Sequence, residues 1–150
     1  MEPLKTELLV LGAGPGGYTA AFYAADKGKR VVLVDQDKRL GGVCLNRGCI
    51  PSKALLHATQ ILRHAKAAKA HGLSFSAPEV NLDKLRAWKE SVIDKLTQGL
   101  GTLAQKRSVT VLCGRGYFED SHTLRVETEE GQKFVAYDRA IIAVGSKPAL

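Results

Sequence analysis

Two clusters in this 150-residue chain combine residue types and spacings that can do chemistry. The first is Gly12-Ala13-Gly14-Pro15-Gly16-Gly17, which holds the spacing Gly-x-Gly-x-x-Gly between a strand-like and a helix-like run. Gly12 allows a tight turn, Gly14 lets the backbone approach a diphosphate, and Gly17 lets the helix pack closely on the strand. An anion then sits at the helix N-terminus, where unpaired N–H groups and the helix dipole favour negative charge. Asp35 ends the next strand-like run, 18 residues after Gly17, where a carboxylate can accept hydrogen bonds from ribose hydroxyls. Glycines alone are a weak signal. Strand, motif, helix, strand and acid in this order point to a dinucleotide site.

The second cluster is Gly41-Gly42-Val43-Cys44-Leu45-Asn46-Arg47-Gly48-Cys49-Ile50-Pro51-Ser52-Lys53. Cys44 and Cys49 could supply half a zinc site or a redox pair. There is no second close cysteine pair, and His57, His64 and His71 recur every seven residues along one helix-like run, which is not a usual zinc-finger spacing. For the redox reading, five residues of regular helix rise about 7.5 Å, whereas the Cα atoms of a disulfide lie at most about 7 Å apart. The pair can bridge only where the segment departs from regular helix, and Gly48 supplies that freedom. A thiol near a helix N-terminus also has a lowered pKa, as a nucleophile needs.

The elements that position these clusters are legible from periodicity. Residues 7–11 and 31–34 are short apolar runs suited to strands covered on both faces. Between them Tyr18 to Lys27 is alanine-rich and stops at Gly28, which makes one βαβ unit. Pro51 suits a first helical turn, and Ala54 to Ala70 reads helical with Leu55, Ala58, Ile61, Leu62 and Ala65 on one side. After a loop over 72–80, Asn81 is a candidate N-cap for an amphipathic helix carrying Leu82, Leu85, Val92, Ile93, Leu96, Leu100 and Leu103. From Ser108 the period becomes that of strands: 109–112, punctuated by Gly114-Arg115-Gly116, then alternation around Leu124–Thr128 and Phe134–Ala136 about a turn at 129–132. The run 140–144 reads as a further buried strand. The fold class expected is α/β, a parallel sheet with helices and a β-meander excursion.

Composition excludes several classes. The net charge is +7, and ten Lys/Arg against four acids between Lys53 and Arg107 account for +6 of it. These charges lie on the polar faces of two helices without interleaved aromatics, so they read as solvated surface, with no nucleic-acid partner. No apolar run of about 18 residues occurs, so no membrane span is expected. The start, Met1 to Glu7, lacks the basic-then-apolar layout of a secretory signal, and a cytoplasmic location is expected. Three cysteines argue against a structural disulfide framework. Cys113, in a strand pattern, is expected to be a small buried core residue, and Tyr18 and Trp88 to serve packing. No metal site is expected.

The Gly41–Lys53 segment resembles the active-site signature of the pyridine nucleotide-disulfide oxidoreductases. Leu45-Asn46 and Ile50 to His57 resemble in particular the branch that oxidises dihydrolipoamide; glutathione and mercuric reductases more often carry valine at the positions of Leu45 and Ile50. The likeness runs the whole chain, through Gly114-x-Gly116-x-Phe118 to Ala143-Val144-Gly145-Ser146-Lys147-Pro148. It implies a Rossmann-like FAD-binding domain with FAD, not NAD, at the first glycine motif. The implied cofactor contacts are Gly12, Gly14, Pro15, Gly16, Gly17, Asp35, Gly41, Gly42, Val43, Cys44, Lys53, Gly116, Ala143, Gly145 and Ser146. It also implies a redox-active Cys44–Cys49 disulfide beside the isoalloxazine ring. Cys44 would exchange with dihydrolipoamide, Cys49 would form the charge-transfer thiolate, Lys53 would approach the flavin N5 edge, and Gly116 would contact the adenine end. Asp35 stands where most relatives have glutamate, one methylene shorter and chemically equivalent.

The resemblance further implies oxidation of protein-bound dihydrolipoamide with NAD as acceptor. Partners would be the lipoyl domains of 2-oxo acid dehydrogenase complexes or the glycine cleavage system, met by a homodimer. Relatives continue with an NAD-binding module, a return to the FAD domain, and an interface domain bearing a His-Glu pair. Nothing in residues 1–150 matches those parts. The expectation is therefore the N-terminal part of the FAD-binding domain, incomplete, with the NAD site outside this chain. The competing readings are a mercuric- or glutathione-type reductase and a stand-alone flavin-binding module without turnover.

Overall fold

A computed structural model describes residues 2–146. Strand β1 (Leu4–Leu11), helix α1 (Pro15–Asp26) and strand β2 (Val31–Asp35) form the expected βαβ unit. β1 and β2 pair in parallel, with Leu8 opposite Val31 and Leu11 opposite Val34. Alternation sorts their side chains onto two faces. Val10, Val31 and Leu33 meet Ala21 and Phe22 of α1, while Leu9, Val32 and Val34 face the other way. Leu9, Val10, Leu33 and Val34 are fully buried, and each such aliphatic side chain contributes about 1.5–3 kcal/mol. The glycine turn thus rests on the most rigid part of the molecule.

Two helices follow, α2 (Gly42–Arg47) and α3 (Cys49–Ala67), broken at Gly48, where φ is −128° and ψ is −99°. The helix expected from Ala54 begins five residues earlier. The apolar side expected on it stays largely uncovered: Leu55, Ile61 and Leu62 are exposed, and only Ala54 of α3 is buried. Helix α4 (Leu82–Lys106) starts as anticipated, with Asn81 Oδ1 accepting the Lys84 N–H at 2.9 Å and Asp83 in the first turn. A cap of this kind stabilises a helix by about 1 kcal/mol.

The remaining strands are β3 (Thr110–Cys113), β4 (Arg115–Phe118), β5 (Thr123–Thr128) and β6 (Gly131–Ile142). The six form one sheet in the order β3-β2-β1-β6-β5-β4. β3, β2, β1 and β6 are parallel neighbours, and β6, β5 and β4 form an antiparallel meander. Leu124, Val126, Val135 and Tyr137 of the meander close a second core against Leu9, Val32 and Val34.

Three details correct the sequence reading. Arg115 and Gly116 do not punctuate the chain; they lie within β4, because Gly116 pairs with Val126. Residues 140–142 are not a separate buried strand. They end the 12-residue β6, and Ile141 and Ile142 are exposed, because β5 leaves β6 after Ala136 while β1 alone continues along it. Cys113 is exposed, not buried. β3 is an edge strand of the sheet, and Cys113 stands at its end, opposite Asp35 in the register. No helix among the described residues is long and apolar enough to cross a membrane.

Candidate active site

The site is built where the parallel strands end. The Gly12 N–H donates to Val34 O at 2.7 Å and the Ala143 N–H to Leu11 O at 2.7 Å, which brings the β1 turn and the end of β6 together. Gly12 has φ of +102°, and a Cβ there would lie 2.3 Å from Ala143 O, so no side chain fits. A Cβ on Gly17 would lie 1.7 Å from Gly12 O; this is the close helix–strand approach expected of the motif. No side chain caps α1, so the amides of its first turn are free to meet an anion.

The second glycine turn abuts the first. Gly41 donates its N–H to Ala13 O at 2.9 Å, and a Cβ on Gly42 (φ +59°) would lie 2.7 Å from Gly14 Cα. The Asp35 carboxylate accepts the Ala13 N–H through one oxygen and the Asp37 N–H, at 2.8 Å, through the other. Each oxygen keeps lone-pair capacity for a ribose hydroxyl.

Two cavities share this wall. One of about 400 Å³ is lined by Leu11, Gly12, Val34, Asp35, Gln36, Gly114, Arg115, Gly116, Val144, Gly145 and Ser146. The other, of about 460 Å³, shares Gly12, Asp35, Gln36, Val144, Gly145 and Ser146 and adds Gly14, Pro15, Gly16, Gly42, Val43, Cys44, Ala143, Asp37 and Arg47. Gly116 lies so close to Leu11 and Leu124 that a Cβ would meet them at 2.9 and 3.0 Å. Gly17, Gly41, Cys49 and Lys53 line neither cavity. Lys147 and Pro148 of the closing segment lie outside the described residues.

Cys44 and Cys49 form a disulfide with Cα atoms 4.7 Å apart. The break at Gly48 is what removes the helical rise between them. A Cβ on Gly48 would come within 3.2 Å of Val43 O and 3.6 Å of Cys44 Cα, so the turn closes tightly over α2. Cys44 is half-buried beside the second cavity, and Cys49 is exposed. Lys53 is exposed one turn beyond Cys49, on the same side of α3. The third cysteine, Cys113, is free, its Sγ 3.8 Å from Gln36 O.

Two residues that the sequence offers only as part of the second cluster hold this segment in place. Asn46 donates through Nδ2 to Leu40 O at 3.2 Å and Gly42 O at 3.0 Å, and Thr97 Oγ1 donates to its Oδ1 at 3.4 Å. Arg47 pairs with Asp37 at 2.6 Å. Both stand between the cysteines, and that position was the available signal. Away from the site, the hydrogen bond from Lys29 and that from the Arg30 backbone hold the Glu7 carboxyl below its usual range, and burial raises the Tyr137 hydroxyl. Among the described residues no group of three or more His, Cys, Asp or Glu could hold a metal ion.

Comparison with known proteins points to one family. The family described as Pyridine nucleotide-disulphide oxidoreductase matches residues 6–150. Dihydrolipoyl dehydrogenase of Vibrio cholerae is 50% identical over 98% of this chain, and that of Haemophilus influenzae is 52% identical over 98%. The chain spans about 31% of the length of each. Among solved structures, a copper(II) complex of a mutant HOCl-induced flavoprotein disulfide reductase from Escherichia coli aligns with a TM-score of 0.75. It is 27% identical, over 98% of this chain and 30% of that one. With fold, motif and disulfide in agreement, this chain belongs to the pyridine nucleotide-disulphide oxidoreductase family.

Proposed function

We propose that residues 1–150 form the N-terminal part of the FAD-binding domain of an enzyme that oxidises protein-bound dihydrolipoamide and passes the electrons to NAD. The observation that carries this reading is the Cys44–Cys49 disulfide adjoining the cavity of the two glycine turns. FAD is the cofactor of the family, and the residues present fit it. The uncapped first turn of α1 suits the diphosphate, Asp35 the ribose, and the Gly116 side of the first cavity the adenine. At Gly42, where a Cβ would lie 2.7 Å from Gly14 Cα, no side chain fits between the two turns, so backbone faces the diphosphate position there.

In this reading a substrate thiolate attacks the Cys44 sulfur and Cys49 leaves as a thiolate. The second substrate thiol then closes lipoamide and leaves Cys44 reduced. Bound FAD supplies the two-electron acceptor for the reduced pair. Lys53 places a cation one turn from Cys49, where it favours negative charge. The nicotinamide site and the base that accepts the thiol proton belong to residues outside this chain. The bare edge of β6 beyond Ala136, with Ile141 and Ile142 exposed, is where further parts of the enzyme would pack. Partners are the lipoyl domains of 2-oxo acid dehydrogenase complexes or of the glycine cleavage system, met by a homodimer.

The test is a steady-state assay of residues 1–150 alone and of the same residues joined to the C-terminal remainder of the Haemophilus influenzae relative, at matched FAD content. The expected result is lipoamide-dependent NAD reduction by the joined protein and none by the 150 residues. General-base assistance contributes about 10² to 10⁴ in rate. Robust turnover by the short chain would overturn the division of labour proposed.

A further inference from the structure

Arg47 lies between the two cysteines at the end of α2, and its guanidinium pairs with the Asp37 carboxylate at 2.6 Å. Asp37 in turn donates its backbone N–H to the Asp35 carboxylate at 2.8 Å, and Asp35 also receives the Ala13 N–H of the first glycine turn. A continuous polar chain therefore runs from the glycine turn, through the carboxylate that faces the ribose position, to the segment that carries the disulfide. Arg47, Asp37, Asp35 and Cys44 all line the same cavity of about 460 Å³. The Arg47 and Asp37 side chains are 58% and 32% exposed, so the pair is a modest tie and suits tuning more than scaffolding.

We propose that Arg47 is a positioning residue that couples the adenosine half of the cofactor site to the redox state of the Cys44–Cys49 pair. This rests on the cofactor reading above. With the disulfide intact, the turn at Gly48 holds Arg47 against Asp37 and keeps the Asp35 carboxylate aimed at the ribose position. Reduction releases the turn, and the Arg47–Asp37 tie loosens with it. The disulfide form then binds the adenosine diphosphate moiety more tightly than the dithiol form. Linkage requires that the same moiety stabilise the disulfide by the same factor.

ADP is the probe, because it fills the adenosine and diphosphate half and has no redox chemistry of its own. Titration calorimetry of the purified protein in its disulfide and dithiol forms gives the ratio of the two Kd values. An exposed ion pair sets the scale, and the expected ratio is roughly threefold. The reciprocal readout is a lowering of the disulfide midpoint potential by ADP of about 14 mV, since tenfold is about 29.6 mV for a two-electron couple. Arg47→Ala and Asp37→Asn are each expected to bring the ratio to one, the double variant to add nothing, and Arg47→Lys to restore part of it. If wild type and Arg47→Ala bind ADP with the same ratio, or Asp37→Asn leaves it intact, the coupling is overturned. Failure of the wild-type protein to bind ADP in either form would overturn the cofactor reading itself.

Discussion

Cys44→Ser and Cys49→Ser each lower dihydrolipoamide oxidation in the joined, FAD-loaded protein by more than about 10³-fold, the scale on which loss of a covalent nucleophile acts. A serine hydroxyl neither forms a disulfide nor ionises near neutral pH, so the exchange loses its acceptor. The two variants differ in what they trap. With Cys49 removed, Cys44 keeps its thiol but has no neighbouring cysteine to expel a bound sulfur, so a mixed disulfide accumulates with any partner that lacks a second thiol of its own. With Cys44 removed, Cys49 stands where the proposed mechanism has no substrate attack, and no adduct forms at Cys49. Peptide-mapped mass spectrometry after exposure to the disulfide of a monothiol, which has no second thiol to reverse the adduct, separates the two. The opposite trapping pattern would exchange the roles assigned to the cysteines, and comparable turnover by either variant would remove the disulfide from the mechanism.

Gly42→Val is expected to weaken FAD binding by about a hundredfold or more while the βαβ core persists. The added Cβ would lie 2.7 Å from Gly14 Cα and 3.3 Å from Gly14 N, at a backbone φ of +59° that a β-branched residue resists. Overpacking costs about 1–3 kcal/mol, and left-handed backbone about 1–2 kcal/mol more. The molecule relieves both by moving the second turn away from the first, which opens the diphosphate cradle. The strands beneath are held by Leu9, Val10, Leu33 and Val34, all fully buried, so circular dichroism changes little. Gly101→Ala is the matched control: nothing lies within 4 Å of a Cβ there, and it sits inside α4, where alanine is favoured by roughly 0.5–1 kcal/mol. Cofactor affinity unchanged in Gly42→Val would show that the two turns do not jointly form the cradle.

Much of this architecture is legible in the sequence because local and tertiary demands coincide. Residues 31–34 are apolar without interruption because β2 lies between β1 and β3 and both faces are covered. Gly12 and Gly17 are glycine because each backbone meets another backbone. Asn81 marks the start of α4 because its side chain completes the first turn. The misreadings share a different cause. The apolarity of 140–144 says that a strand forms, but not that its outer edge goes unpaired once β5 diverges. Cys113 follows the alternation of a buried strand, yet β3 is an edge strand and the thiol ends exposed. Leu55, Ile61 and Leu62 give α3 an apolar side that the described residues cover only in part. Asn46 and Arg47 stand in the second cluster, but the ties they make are not legible there, because their partners, Leu40, Thr97 and Asp37, lie elsewhere in the chain and periodicity carries no information on such contacts.

In the proposed mechanism Cys44 and Cys49 are a redox pair that exchanges with a dithiol. The most direct measurement is anaerobic titration of the FAD-loaded protein with dihydrolipoamide, with free thiols alkylated under denaturing conditions and assigned by peptide mapping. The chain has three cysteines, and Cys113 is free in the disulfide form. The expected result is one alkylated thiol before titration, at Cys113, and three after titration with excess dihydrolipoamide, the gain lying wholly at Cys44 and Cys49 and accompanied by loss of oxidised-flavin absorbance. Three alkylated thiols at the outset under oxidising conditions, or no gain on titration, would contradict it.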